Sequence, residues 1–156
     1  MSEPVLASAE SLHAFMHQYV PLARAAEINV ESYDGRTLTI SAPLAANIND
    51  KGTAFGGSLY NLCVIAGWGM TALLSKELDL LGDLVVAKAE IEYLRPLRSE
   101  LRATVERPSE EQLAHFVESY QRKGRASMQH EISVLDEAGK SCVAFHAKYA
   151  IVAAKA

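Results

Sequence analysis

With 156 residues, 49% of them hydrophobic, the chain is long enough to bury a core without metal or disulfide support, and one compact domain over residues 1–156 is expected. A formal net charge of −4 argues against a partner held by phosphate neutralisation, so no nucleic acid is expected. Cys63 and Cys142 have no metal-type spacing and no secretory context, so two buried thiols in a reducing cytoplasm are expected rather than a disulfide.

The first stretch, MSEPVLASAE, lacks a basic region followed by an apolar block, so no secretory leader is expected, and residues 1–8 read as a loose arm. Ser8 or Ser11 can cap a short helix whose apolar residues, Leu12, Phe15, Met16 and Tyr19, recur near the helical period. Pro21 ends or bends it. His13 and His17 stand four apart, a spacing that can ligate a metal. No third ligand follows nearby, so a solvated helix face and no metal are expected. Ala26–Ser32 and Thr37–Ala42 read as strands joined by a hairpin across Asp34-Gly35.

The stretch from Asn47 to Glu77, NINDKGTAFGGSLYNLCVIAGWGMTALLSKE, holds no charged residue from Gly52 to Ser75. A polar turn leads into Gly56-Gly57, and Ser58 is a first-turn or cap residue. Beyond it the side chains are apolar on nearly every face, which predicts a helix enclosed on all sides. A membrane span competes on length, but the glycine and polar content and the many following strands favour a buried helix, with no membrane span. Gly67 and Gly69 each cost about 1 kcal/mol of helix propensity relative to Ala. The compensation expected is close approach of another backbone.

Val85–Leu94 then alternates, with Lys88, Glu90 and Glu92 on one face and Ala87, Ala89, Ile91 and Tyr93 on the other. Leu101–Glu106 is a further strand. Ser109 and Gln112 have capping-box spacing before an apolar run through Leu113, Phe116, Val117 and Tyr120, which suits a helix, with a loop or strand continuation as the alternative. Arg125–Leu135 and Ser141–Val152 read as two long closing strands. The order suits an α+β fold, a largely antiparallel sheet curved around one central helix. The open sheet edges then need cover, so a homodimer is expected.

That order, with N-x-N-D-x-G-T-x-F-G-G-S-L-Y at Asn47–Tyr60 and KAEIEYLRPL at Lys88–Leu97, resembles the hotdog-fold thioesterases over about residues 10–153, the length of one domain. It is most similar to the family typified by the C-terminal domain of YiiD-type bacterial proteins. The resemblance implies a hotdog fold, a dimer or dimer of dimers, and hydrolysis of acyl thioesters carried on coenzyme A or acyl carrier protein. Coenzyme A is then part of the substrate and no cofactor is implied. In the phenylacetyl-CoA-type branch an Asn stands six residues before the His of a His-Gly-Gly turn, and an acid follows that His by nine. Here Asn49 matches the Asn, but Phe55 replaces the His and Val64 the acid. A dehydratase-type Pro-Gly-His turn is absent as well.

Thioester hydrolysis needs donors for the developing oxyanion and a way to activate water. The first-turn N–H groups of the central helix, those of Gly57 and Ser58 especially, can supply the donors. Asn49 is the candidate to position water, and Asp50, Glu90 or Glu92 the candidate base. Phe55, Gly56 and Asn61 border the turn as candidate substrate contacts, while Arg95, Arg122 and Lys123 are candidates for the phosphates of coenzyme A. Packing, capping and solvated charge account for each of these residues equally simply. The alternative function is therefore a non-catalytic module that binds acyl thioesters, or a purely structural dimerisation domain.

Overall fold

A computed structural model describes residues 6–154; the predicted arm falls mostly on residues 1–5, outside that range. Ser8 accepts from the Ser11 N–H and begins α1 (Ala9–Tyr19), a reciprocal capping box that satisfies two otherwise orphaned donors. Pro21, whose missing N–H costs nothing in a first turn, opens the short α2 (Pro21–Ala25). Ala26 belongs to the end of that helix and Glu27 takes a φ of +55°. The first strand, β1 (Asn29–Tyr33), therefore starts three residues later than predicted. β2 (Thr37–Ala42) follows across the expected hairpin, where Asp34 Oδ1 accepts from the N–H groups of Arg36 and Thr37.

The long helix α3 (Gly56–Glu77) runs through the middle of the molecule. It is long and apolar enough to cross a membrane by length and composition, yet most of it is buried within this fold. β3 (Asp83–Tyr93), β4 (Leu101–Glu106), α4 (Glu110–Lys123), β5 (Arg125–Leu135) and β6 (Ser141–Val152) complete the chain. The helix alternative for residues 110–123 is the one adopted. Ser109 and Gln112 form the predicted capping box, and Gly124 ends the helix at a φ of +69°.

Among the described residues six strands form one antiparallel sheet in the order β1-β2-β4-β5-β6-β3. One face wraps α3. The alternate residues Ala126, Met128, His130, Ile132 and Val134 of β5, and Val143, Phe145, Ala147, Tyr149 and Ile151 of β6, are buried against it. Each fully buried leucine or phenylalanine in such a core contributes roughly 1.5–3 kcal/mol.

The helix glycines answer a different need from the predicted one. A Cβ at Gly67 would lie 2.2–2.4 Å from the phenol of Tyr149, and one at Gly69 would lie 2.8 Å from Leu12. Side chains, not a second backbone, occupy the space. The Tyr149 hydroxyl then donates to the Val64 carbonyl at 2.9 Å, so a large buried phenol is satisfied only because the helix leaves it room.

The first helix also departs from expectation. The His13 and His17 rings stack with centroids 4.2 Å apart rather than standing in solvent. His13 Nδ1 accepts from the Val30 N–H at 3.2 Å, and His17 Nε2 meets the Ile28 carbonyl. The rings thus occupy backbone groups in β1 and just before it, at an edge strand of the sheet. Among the described residues no group of three potential metal ligands gathers.

Candidate active site at the amino end of the central helix

The loop before α3 is folded by one side chain. Asn49 Oδ1 accepts from the N–H groups of Lys51 at 2.9 Å and Thr53 at 3.0 Å, and Asn49 Nδ2 donates to Thr53 Oγ1 at 2.8 Å. Gly52 takes a φ of +78°, which suits glycine, and its N–H closes on the Asn49 carbonyl. These bonds explain the Asn-Asp-x-Gly-Thr pattern as turn chemistry. Both lone-pair positions of Asn49 Oδ1 are engaged, leaving one amide hydrogen for any outside group. Asp50 is exposed and paired with Lys51 at 3.2 Å.

The loop is tied down at its far end. Asn47 Nδ2 donates to the carbonyls of Ala26 and Pro43, the Phe55 N–H donates to the Asn47 carbonyl at 2.7 Å, and the Ala54 N–H donates to Leu97 at 2.8 Å. Phe55 is extended and caps α3 without a side-chain acceptor. The N–H groups of Ser58 and Leu59 turn back to the Phe55 carbonyl. Those of Gly56 and Gly57 have no acceptor among the described residues. Two free donors therefore stand at the positive end of a 22-residue helix.

The bare α-carbons of the glycine pair admit aromatic rings. A Cβ at Gly57 would lie 2.5 Å from the Phe55 ring, and one at Gly56 would lie 3.3 Å from the Tyr93 ring. The Tyr93 hydroxyl donates to the Gly56 carbonyl at 2.8 Å. Beside this turn opens a cleft of about 500 Å³, its walls including Thr53, Gly56, Gly57, Leu59, Tyr93 and Arg95. Ser58 is the third helical residue and half-buried, and its hydroxyl makes no protein hydrogen bond among the described residues. Asn61, one turn beyond Gly57, is 8% exposed, and its amide likewise lacks a protein partner among them.

The structure brings Gly56, Gly57 and Arg95 together on this cleft, with Phe55 and Ser58 beside them in the same turn. It does not bring Arg122 and Lys123 there. They end α4 next to Arg125, which pairs with Val152, itself opposite Asp83 at the start of β3. Tyr93 and the cleft lie at the other end of that strand, about 30 Å away at about 3.3 Å per residue. Glu90 faces the outer side of the sheet beside Lys88.

Among the described residues no carboxylate or imidazole lines the cleft. Burial pushes the Cys63 thiol up to about 12, which keeps it protonated and inert. His130 is buried, bonded at 2.9 Å to Thr71, and pushed down to about 4 by desolvation. His146 stands exposed beside Glu131. Sequence reasoning passed over Tyr93, reading it as one more apolar-face residue. No local signal singles it out, because its partner Gly56 stands 37 positions away in the chain.

The chain matches, over residues 9–153, the family described as "Putative thioesterase (yiiD_Cterm)". It is similar, at 38% identity and a TM-score of 0.91, to a protein of unknown function from Chlorobaculum tepidum, with 94% of each chain covered. It is 32% identical, with a TM-score of 0.82, to a "putative thioesterase" from Shewanella oneidensis, covering 92% of this chain and 96% of that one. The PaaI protein of the Escherichia coli phenylacetic acid degradation operon shares the fold at 18% identity and a TM-score of 0.63, with 94% and 95% covered.

Proposed function

The chain belongs to the YiiD C-terminal thioesterase family and has the hotdog fold of thioesterases, and on that premise we propose that it hydrolyses acyl thioesters carried on coenzyme A or acyl carrier protein. The observation that carries the reading is the free Gly57 N–H, at the positive end of α3 and on the wall of an open cleft. A thioester carbonyl seated there gains negative charge as water attacks, and a fixed N–H dipole favours that charge more than the neutral ground state. Leu59, Leu94 and Leu97 offer the acyl group an apolar wall, and Arg95 stands where a phosphate of the carrier would meet it. Asn49 serves by holding the loop shape.

A second copy completes the site. β3 pairs with β6 on one side only, and it leaves Val85, Val86 and Tyr93 about half exposed. An open, largely apolar strand of 11 residues is a template for pairing with another chain. In the homodimer this favours, Glu90 and Glu92 stay on the outer face of the continued sheet, so the base that the cleft wall lacks comes from another group of the second copy.

The absence of a carboxylate or imidazole from that wall also favours a second reading, a module that binds acyl thioesters without turnover. Thiol release and direct binding, measured together across short, medium, long and aromatic acyl-CoAs and the matching acyl carrier proteins, separate the two. Binding with no release selects the module. For the hydrolase, Gly57→Pro removes the donor without loss of an intrahelical bond, and Gly57→Ala, which displaces the Phe55 ring as well but keeps the N–H, is its control. The kcat of Gly57→Pro should fall about 10²-fold, the cost of losing one oxyanion donor. A folded Gly57→Pro protein with wild-type kcat/KM would remove Gly57 from the mechanism.

A further inference from the structure

Tyr93 ends β3 and is 54% exposed. Its phenol is within reach of water, so burial does not force its hydroxyl onto a protein acceptor. It nevertheless donates to the Gly56 carbonyl at 2.8 Å, with its ring lying against the Gly56 α-carbon. That carbonyl and the Gly57 N–H are opposite ends of one planar peptide group. A carbonyl accepts two hydrogen bonds, so Gly56 can serve both Tyr93 and the next helical turn.

We propose that Tyr93 is a positioning residue, acting through the Gly56–Gly57 peptide to orient and strengthen the Gly57 N–H as the oxyanion donor. Two effects follow from the one bond. First, glycine pairs are conformationally free, and the phenol pins this peptide plane to a strand that is itself held in register by Tyr93 opposite Val143. Second, a hydrogen bond received at a peptide oxygen draws electron density from its nitrogen, and chains of such bonds reinforce one another by about 10–30% per link. The ring also excludes water from one side of the turn, which raises the worth of the remaining dipole. Desolvation first, then the neighbouring Cys63 and Tyr60, hold the phenol above its ordinary value, so the hydroxyl keeps its proton through the neutral range.

This assignment rests on the hydrolase reading, and Tyr93→Phe tests the two apart. Phenylalanine keeps the ring against Gly56 and removes only the donated hydrogen. On the acyl-CoA that the wild type turns over fastest, kcat should fall about tenfold, a fraction of the 10²–10³ that losing the donor itself costs. KM and the dissociation constant of that acyl-CoA, read by stopped-flow before turnover, should stay within twofold. The infrared C=O stretch of the bound thioester, which a stronger donor moves to lower frequency, should shift back toward its free value. A Tyr93→Phe protein with unchanged kcat and carbonyl frequency would overturn the assignment and leave the hydrolase standing. A rise in KM at constant kcat would also overturn it, since that marks Tyr93 as a plain binding contact. A wild-type protein that releases no thiol from any acyl-CoA or acyl carrier protein ends both.

Discussion

Acidification should destabilise this protein through one buried histidine. His130 is 3% exposed, with Nε2 2.9 Å from Thr71 Oγ1, whose hydroxyl in turn donates to the Gly67 carbonyl. In that arrangement the imidazole is neutral and gives its Nε2 hydrogen to threonine. Desolvation pushes it from an ordinary 6.5 to about 4. The unfolded chain thus takes up the proton first as pH falls. Stability is full above about 6.5, declines between there and 4, and settles below, a total of about 3 kcal/mol at 1.36 kcal/mol per pH unit. Between pH 7 and pH 5 the loss from this group alone is about 2 kcal/mol.

Other groups act elsewhere or in parallel. Glu31, held down by its bond to Arg102, and Asp34, held down by the N–H groups of Thr37 and Arg36, lose their contributions only below the usual carboxylate range. Their window lies beneath that of His130. His13, lowered by burial and by His17, adds in the same direction as His130. Subtraction against a His130→Gln variant removes its share. Urea unfolding at pH 7, 6 and 5 should show wild type losing about 2 kcal/mol more than His130→Gln across that span. Parallel pH profiles for the two proteins would show that the buried ring is not what the acid limb reports, and the reasoning would fail.

Two further outcomes check the placement of charge and the open edge. Arg95→Ala should raise KM for acyl-CoA by about threefold to fivefold, the worth of an exposed ion pair, and leave KM for an acyl-N-acetylcysteamine unchanged. The double variant Arg122→Ala/Lys123→Ala should change neither, and an effect on acyl-CoA alone would return those residues to the site. Val86→Lys puts a charge on the unpaired edge strand β3, on the side that faces α3, where the valine is 45% exposed. Light scattering should then give the mass of one chain in place of two, while a dimer that survives would move the interface elsewhere.

Elements defined by near neighbours were legible in the chain. The start of α1 at Ser8 or Ser11, the capping box at Ser109, the Asp34-Gly35 hairpin and the bounds of β2, β5 and β6 all follow from contacts a few residues apart, where spacing is geometry. Helix α3 was legible for a cruder reason: a charge-free run of that length has to be enclosed. Its strand neighbour β3 was only half so. The alternation from Lys88 onward held, but a bulge between Val86 and Lys88 puts Ala87 out of step and exposes it. Bulges depend on a partner strand that local patterning does not contain.

What the sequence determined by itself is the run of elements, the α+β class with its enclosed helix, and the location of the candidate site, because apolar periodicity and turn residues act over short spans of chain. Tertiary structure alone decided which groups meet there. It committed Asn49 to its own loop, set Arg122 and Lys123 at the far end of β3, filled the helix glycines with Tyr149 and Leu12, and laid the Tyr93 phenol on Gly56. Those contacts join residues 37 to 85 positions apart in the cases of Tyr93 with Gly56 and Tyr149 with Val64. Pairings at such separation are set by strand order and register, which no short window of sequence encodes.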